Sequence, residues 1–325
     1  MNFLIKVALV ALLLVANSTW AQLTPEQQAA KEKGLMFYQQ HKGISAIPLL
    51  RSAAEAGDSE AQYFLAETLR LNAMHITAES QKWYEAAAEQ GEVYAMLRLG
   101  NKGNDLCVVM SSCSPDHKKP VEWLIMARDT ATARAAKGDA EAMKQLEHIT
   151  GEFEWLEKSA AAGFGEGQYW LAIAYRQDEG WFFWPGSREE AVEKWFKASA
   201  ESGYPPGMMS YVDIRGKRGD MASVRHWIEK AAEAGYIDAV GSYAAYSAHT
   251  PDEVGYPLDL VKGYGLMLLL SELDGGGGMQ IYTEEKLPEI ARKMSPAQID
   301  QAKVFAEKWR KTHPPLSFFV NKYGF

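Results

Sequence analysis

The sequence predicts an all-α protein: a right-handed α/α superhelical solenoid of stacked helical hairpins, closed by a C-terminal capping helix. Three observations predict it. Six glycines, Gly57, Gly91, Gly138, Gly163, Gly203 and Gly235, each follow an alanine by three residues (Ala54, Ala88, Ala135, Ala160, Ala200, Ala232). Each also precedes another tiny residue by four (Ala61, Ala95, Ala142, Gly167, Gly207, Ala239). Bulk stands at fixed offsets on either side: Trp83, Trp155, Trp195 and Trp227 eight residues before the glycine in four units, and Leu65, Leu99, Leu146, Leu171, Tyr211 and Tyr243 eight residues after it. Self-similarity at such intervals marks a repeat architecture.

Within a unit the spacing assigns each position a job. The residue after the tryptophan position is again bulky in Leu50, Tyr84, Leu156, Phe196 and Ile228, and the alanine lies a turn further on, so bulk and alanine share one stripe of a helix A. The glycine ends that helix, because a left-handed C-terminal residue costs glycine little and costs other residues a clash at Cβ. Helix B follows, and its small residue marks the point where the two backbones cross closely. Neither helix can bury both faces in one hairpin, so neighbours must stack. The third unit departs from this pattern. Thr130 replaces the tryptophan, Arg134 sits on the alanine face, and Trp123, seven residues earlier on the same face, supplies the bulk in a longer helix A.

Along the chain, Met1 to Ala21 reads as a secretory signal: Lys6, an apolar run from Val7 to Ala16, then small residues leading to Ala21. The run is shorter than the roughly 20 apolar residues a spanning helix needs, so stable membrane insertion is not expected, and residues 22–325 form one solenoid domain in a periplasm-like compartment. Pro25 to Gln40 forms an N-terminal helix ending near Gly43, and regular repeats occupy about 44–250. Cys107 and Cys113 lie in a long excursion from Gly100 to Pro120. In an oxidising compartment so close a pair reads as a disulfide, closing a loop for about 2 kcal/mol. The alternative is a redox or metal pair, against which stand a spacing other than C-x-x-C and the lack of His, Asp or Glu between them. A second excursion, Asp178 to Ser187, carries Trp181, Phe182, Phe183 and Trp184. A third, Ala248 to Pro257, leads to a variant helix A, Leu258 to Leu273, and a break at Gly275 to Gly278. Ser295, Pro296 and Gln298 then open a closing helix with a capping box, so that the variant repeat and cap occupy about 256–325.

The runs Trp83 to Gly91, Trp155 to Gly163 and Trp227 to Gly235, each followed by the helix B spacing, resemble those of the Sel-one-like repeat (SLR) proteins, relatives of tetratricopeptide solenoids. The resemblance covers most of the mature chain. It implies a superhelix with a groove along it and a role in docking other proteins. Exported bacterial SLR proteins resemble the immunity partners of type VI secretion toxins, notably phospholipase effectors acting in the periplasm, and that likeness implies occlusion of a toxin's catalytic cleft. A periplasmic scaffold or regulator of envelope proteins is the alternative within the binding class, and a secreted hydrolase is the alternative outside it.

Composition limits the rest. A formal charge of −8, more negative once Lys6 is removed, argues against nucleic acid and for a partner with a basic patch. No hydrolase, zincin, Walker or kinase motif is present, and no cofactor or metal is expected. Gly163, Gly165 and Gly167 mimic a dinucleotide loop, yet they follow a helix, and two of them are repeat positions. His226 has Glu229 a turn away and no further ligand in the sequence. The feature that hairpin packing does not require is the cluster Trp181, Phe182, Phe183 and Trp184. Large aromatics at such a place either fold back over the adjoining hairpin or reach a partner. The same two readings apply to the tail residues Phe318, Phe319, Tyr323 and Phe325, which bind a partner or plug the groove.

Overall fold

The computed structural model describes residues 23–101, 103, 118–273 and 278–323. Among them are sixteen helices, and the only β pairing is an isolated bridge between Tyr236 and Ser317. The expected leader Met1–Ala21, the cysteine pair Cys107 and Cys113, and Phe325 lie outside the described residues.

Helix α1 (Pro25–Gln39) precedes six hairpins. These are α2 (Gly43–Glu55) with α3 (Ser59–Ala73), α4 (Ala78–Glu89) with α5 (Val93–Gly100), and α6 (Pro120–Ala135) with α7 (Ala140–Thr150). They continue as α8 (Phe153–Ala161) with α9 (Gly165–Arg176), α10 (Ser187–Glu201) with α11 (Pro205–Lys217), and α12 (Met221–Glu233) with α13 (Ile237–Ser247). The C-terminal part is α14 (Leu260–Ser271), α15 (Met279–Ala291) and α16 (Pro296–Thr312). Each helix packs on the next from α1 to α15, and α16 packs on α14. This is an all-α hairpin solenoid, as the spacing predicts.

Every repeat glycine has left-handed backbone, from φ 83° at Gly235 to φ 95° at Gly91. Its N–H donates to the carbonyl three residues back, and the next N–H to the carbonyl five residues back, as in Gly57 to Ala54 and Asp58 to Ala53. This double closure satisfies carbonyls that the end of helix A would otherwise leave unpaired. The bulky partners of the stripe, Leu50, Tyr84, Phe196 and Ile228, are buried, each contributing about 1.5–3 kcal/mol. Of the tryptophans themselves only Trp83 is buried; Trp155, Trp195 and Trp227 lie half-buried at the edge of the stripe. In the third unit Trp123 is buried in the sixteen-residue α6, in line with its expected role.

Three boundaries differ from the sequence reading. The N-terminal helix stops at Gln39, with His41 in the left-handed region, and Gly43 opens α2 instead of ending α1. The variant helix A begins at Leu260, because the Asp259 carboxylate caps it by accepting from the Lys262 N–H. Helix α15 is not legible from pattern, because its apolar residues form no single stripe and it carries Pro288 within its length.

Repeat spacing did not indicate how the two ends of the array lie relative to one another. The Lys42 ammonium donates to the Glu272 carbonyl at 2.7 Å, bringing the entry of the first hairpin against the end of α14. Between them Phe37, Leu269, Leu273, Trp309 and Leu316 line a cavity of about 270 Å³. The two ends of the array therefore approach one another, and the segment following α16 passes between them. Repeat spacing reports contacts between neighbouring hairpins only, so this approach was not legible in it.

Candidate partner-binding site

Helix α9 ends at Arg176, and the chain re-enters α10 at Ser187 through two left-handed glycines, Gly180 (φ 74°) and Gly186 (φ 85°). A Cβ at Gly180 would lie 2.9 Å from the Tyr175 ring, so only glycine lets the loop cross there. Arg188 holds the loop from below. Its guanidinium donates to the carbonyls of Tyr175 (2.8 Å), Glu179 (2.6 Å) and Gly180 (3.3 Å) and lies 4.7 Å from the centre of the Phe182 ring. Phe182 meets Tyr175 edge-on at 5.0 Å. The Ser187 N–H and hydroxyl both donate to the Trp184 carbonyl.

One of the four rings thus anchors the loop. The other three project: Trp181 is 92% exposed, Phe183 88% and Trp184 79%. Around them Asp178, Glu179, Glu189 and Glu190 are exposed. The loop is an apolar cluster with an acidic rim, set on a backbone that its own hydrogen bonds hold in place. The sequence identified the rings but not Arg188, whose role depends on three carbonyls that no pattern displays.

The second candidate group, the tail, lies against the B helices and α1. The Ser317 N–H donates to Gly235 O and the Ser317 carbonyl accepts from the Ile237 N–H, forming the isolated bridge. Gln40 Nε2 donates to Leu316 O, and the Phe318 N–H to Gln39 O. The Gln39 side-chain amide grips Val320 from both sides, accepting from its N–H at 2.7 Å and donating to its carbonyl at 3.3 Å. Further along, the Tyr63 hydroxyl donates to Lys322 O, and the Lys322 ammonium pairs with Glu92 at 3.1 Å. Phe318 packs against His41 and Phe319 against Tyr236.

Tyr323 ends the described tail over a charged nest. Its ring stacks on Tyr94, meets His148 edge-on at 4.3 Å, and covers the Arg98 guanidinium at 4.5 Å. Beneath it the buried Glu67 carboxylate accepts from Arg98 (2.6 Å and 3.1 Å), Arg70 (2.8 Å) and the Tyr84 hydroxyl (2.6 Å). Burial works against the Arg98 charge, but Glu67 outweighs it and holds the guanidinium above its ordinary pKa. Burial, with the charges of Lys144 and Arg98, pushes the His148 imidazole down. Burial raises the Tyr323 and Tyr63 hydroxyls, so both stay protonated, Tyr63 as the donor to Lys322 O. Gln39, Tyr63, Glu92 and Arg98 escaped the sequence reading. The one trace they leave is a charge, Arg98, inside the apolar run of α5.

The remaining candidates sit in structural surroundings. His226 packs edge-on against Trp227 at 5.0 Å. A Cβ at Gly165 would meet Ser202 Oγ at 2.3 Å and one at Gly167 would meet Ser159 Oγ at 2.5 Å, so the mimic of a dinucleotide loop is filled by its neighbours. Among the described residues no three His, Cys, Asp or Glu are grouped as metal ligands, and no helix is long and apolar enough to cross a membrane.

No protein-family model matches this chain, and no curated protein does. Among solved structures it is similar to c5321, a protective antigen present in uropathogenic Escherichia coli strains displaying an SLR fold, at 20% identity and TM-score 0.47 over 90% of this chain. The chain spans 62% of that protein's length. It is also similar to a Sel1 repeat protein from Oxalobacter formigenes, at 21% identity and TM-score 0.41, over 88% of this chain and 86% of that one. The class of this protein is defined by its own geometry: an α/α hairpin solenoid with glycine corners, holding its own tail and carrying one pinned aromatic loop.

Proposed function

We propose that this chain is an exported, non-enzymatic solenoid that binds another protein through the loop of Trp181, Phe183 and Trp184. The observation that carries the reading is the exposure of three large rings on a backbone already fixed by Arg188 and Phe182. A rigid loop loses little conformational freedom on binding, and tryptophan is enriched among the residues that dominate interface energetics. The acidic rim selects a partner whose apolar pocket is edged by Lys or Arg. Within this class the chain acts as an immunity protein, seating the rings at the mouth of the catalytic cleft of a periplasm-acting toxin, such as a type VI secretion phospholipase. A scaffold for resident envelope proteins would use the same loop on a different partner.

Replacing both Trp181 and Trp184 with Ala is expected to weaken capture of the partner at least 100-fold while leaving the helical circular dichroism unchanged. Unfolding of the variant would place the rings in the core and end this reading. Protection of cells from a toxin directed to their periplasm, lost in the same variant, separates immunity from scaffolding. Co-purification with resident envelope proteins in cells that lack any toxin favours the scaffold.

A further inference from the structure

We infer that the inner surface of the solenoid is a binding site for an extended polypeptide, and that the chain's own tail, Leu316 to Tyr323, is its resident ligand. Most of the tail's hydrogen bonds run to its main chain: Gln39 to Val320 on both sides, Gln40 to Leu316, Tyr63 to Lys322, and the bridge at Ser317. Recognition through the backbone accepts many sequences, as it does where a peptide adds to a sheet edge. Leu316, Phe318 and Phe319 add apolar contacts along the tail, and charged selection falls at its end, where Glu92 pairs with Lys322 and the Tyr94, His148 and Arg98 cluster receives Tyr323.

The ligand this surface fits is a partner segment in extended conformation that carries a basic residue followed by an aromatic one. A tethered tail competes at an effective concentration on the order of millimolar. A partner segment therefore enters only by displacing it, and the tail sets a threshold for binding at this second surface. The aromatic loop between α9 and α10 takes no part in the exchange, so the two readings fail separately.

The test uses the full chain and a fluorescein-labelled peptide of residues 314–323. In the double variant Lys322→Ala, Tyr323→Ala the tether is weakened while every groove residue is kept. Fluorescence anisotropy is expected to give at least tenfold tighter peptide binding to the variant than to the unaltered chain, and the additional change Glu92→Gln is expected to remove most of that gain. Equal affinities for the two proteins, or no binding by a variant of unchanged circular dichroism, would overturn the inference. A variant that loses its helical signal would make the tail part of the core and overturn it as well. Tail exchange between two copies, seen as a dimer of the unaltered chain in light scattering, would replace it with a swapped assembly.

Discussion

At the scale of the residue, the crossing of helices A and B couples two positions that a repeat scan treats separately. Where helix A carries Ala53, Ala87 or Ala231 four residues before the corner glycine, helix B crosses with Ala61, Ala95 or Ala239, and all six are buried. Where helix A carries Ser159 or Ser199, helix B has Gly167 or Gly207. The serine hydroxyls donate to the Ala140 and Gly165 carbonyls, each at 2.7 Å, and so join one hairpin to a neighbouring backbone. The oxygen then occupies the space of the missing methyl: a Cβ at Gly167 or Gly207 would come within 2.5 Å or 2.2 Å of it. Gly167→Ala is therefore expected to destabilise the protein by about 1–3 kcal/mol through overpacking. Ser159→Ala costs about 1 kcal/mol for its hydrogen bond. The double variant should recover most of the loss from Gly167→Ala, and urea denaturation of the four proteins measures the coupling. Additive losses would mean that the two sites do not meet.

At the scale of the element, the corner glycines look identical in sequence and differ in structure. Gly163 has nothing within 4 Å of a would-be Cβ, so a side chain there is strained by its φ of 89° and not by crowding. Gly235 has the same conformation, but its would-be Cβ lies 2.6 Å from the Pro315 carbonyl, where the tail passes. Alanine at either corner is expected to cost about 1–2 kcal/mol for left-handed backbone. Only Gly235→Ala should also speed amide exchange in residues 316–323, and equal protection of that segment in both variants would remove Gly235 from the tail contact. The contrast marks what the sequence could tell. Corners, crossings and the cap at Ser295 follow from local rules, which repeat at readable intervals. Arg134 was legible as an exception, but not its outcome: it turns over the corner to pair with Asp139 at 2.8 Å. The tail bed was hidden because Gln39, Tyr63 and Tyr94 meet a segment more than 200 residues away, through bonds that leave no period.

At the scale of the whole molecule, the apolar interior falls into two large bodies, one from Tyr38 to Leu146 and one from Ala172 to Ala306. A small patch of Leu156, Ala160, Leu171 and Tyr175 lies between them. The seam follows the irregular third unit, and the A helix on its far side, α8, is only nine residues long. In a solenoid, cooperativity passes through neighbour interfaces, so a thin interface lets the two sides unfold separately. The tail bypasses the seam. Leu316 and Phe318 pack against the second body, while Val320 and Tyr323 pack against the first. A single strap joined to both sides makes opening of either one break contacts with the other. Scanning calorimetry of the full chain is thus expected to show one transition, and Phe318→Ala combined with Tyr323→Ala should split it into two, the native helical content at 25 °C being kept. One transition at a lower temperature would instead place the coupling in the packing of α7, α8 and α9. The tail would then be a ligand of the two halves and not their strap.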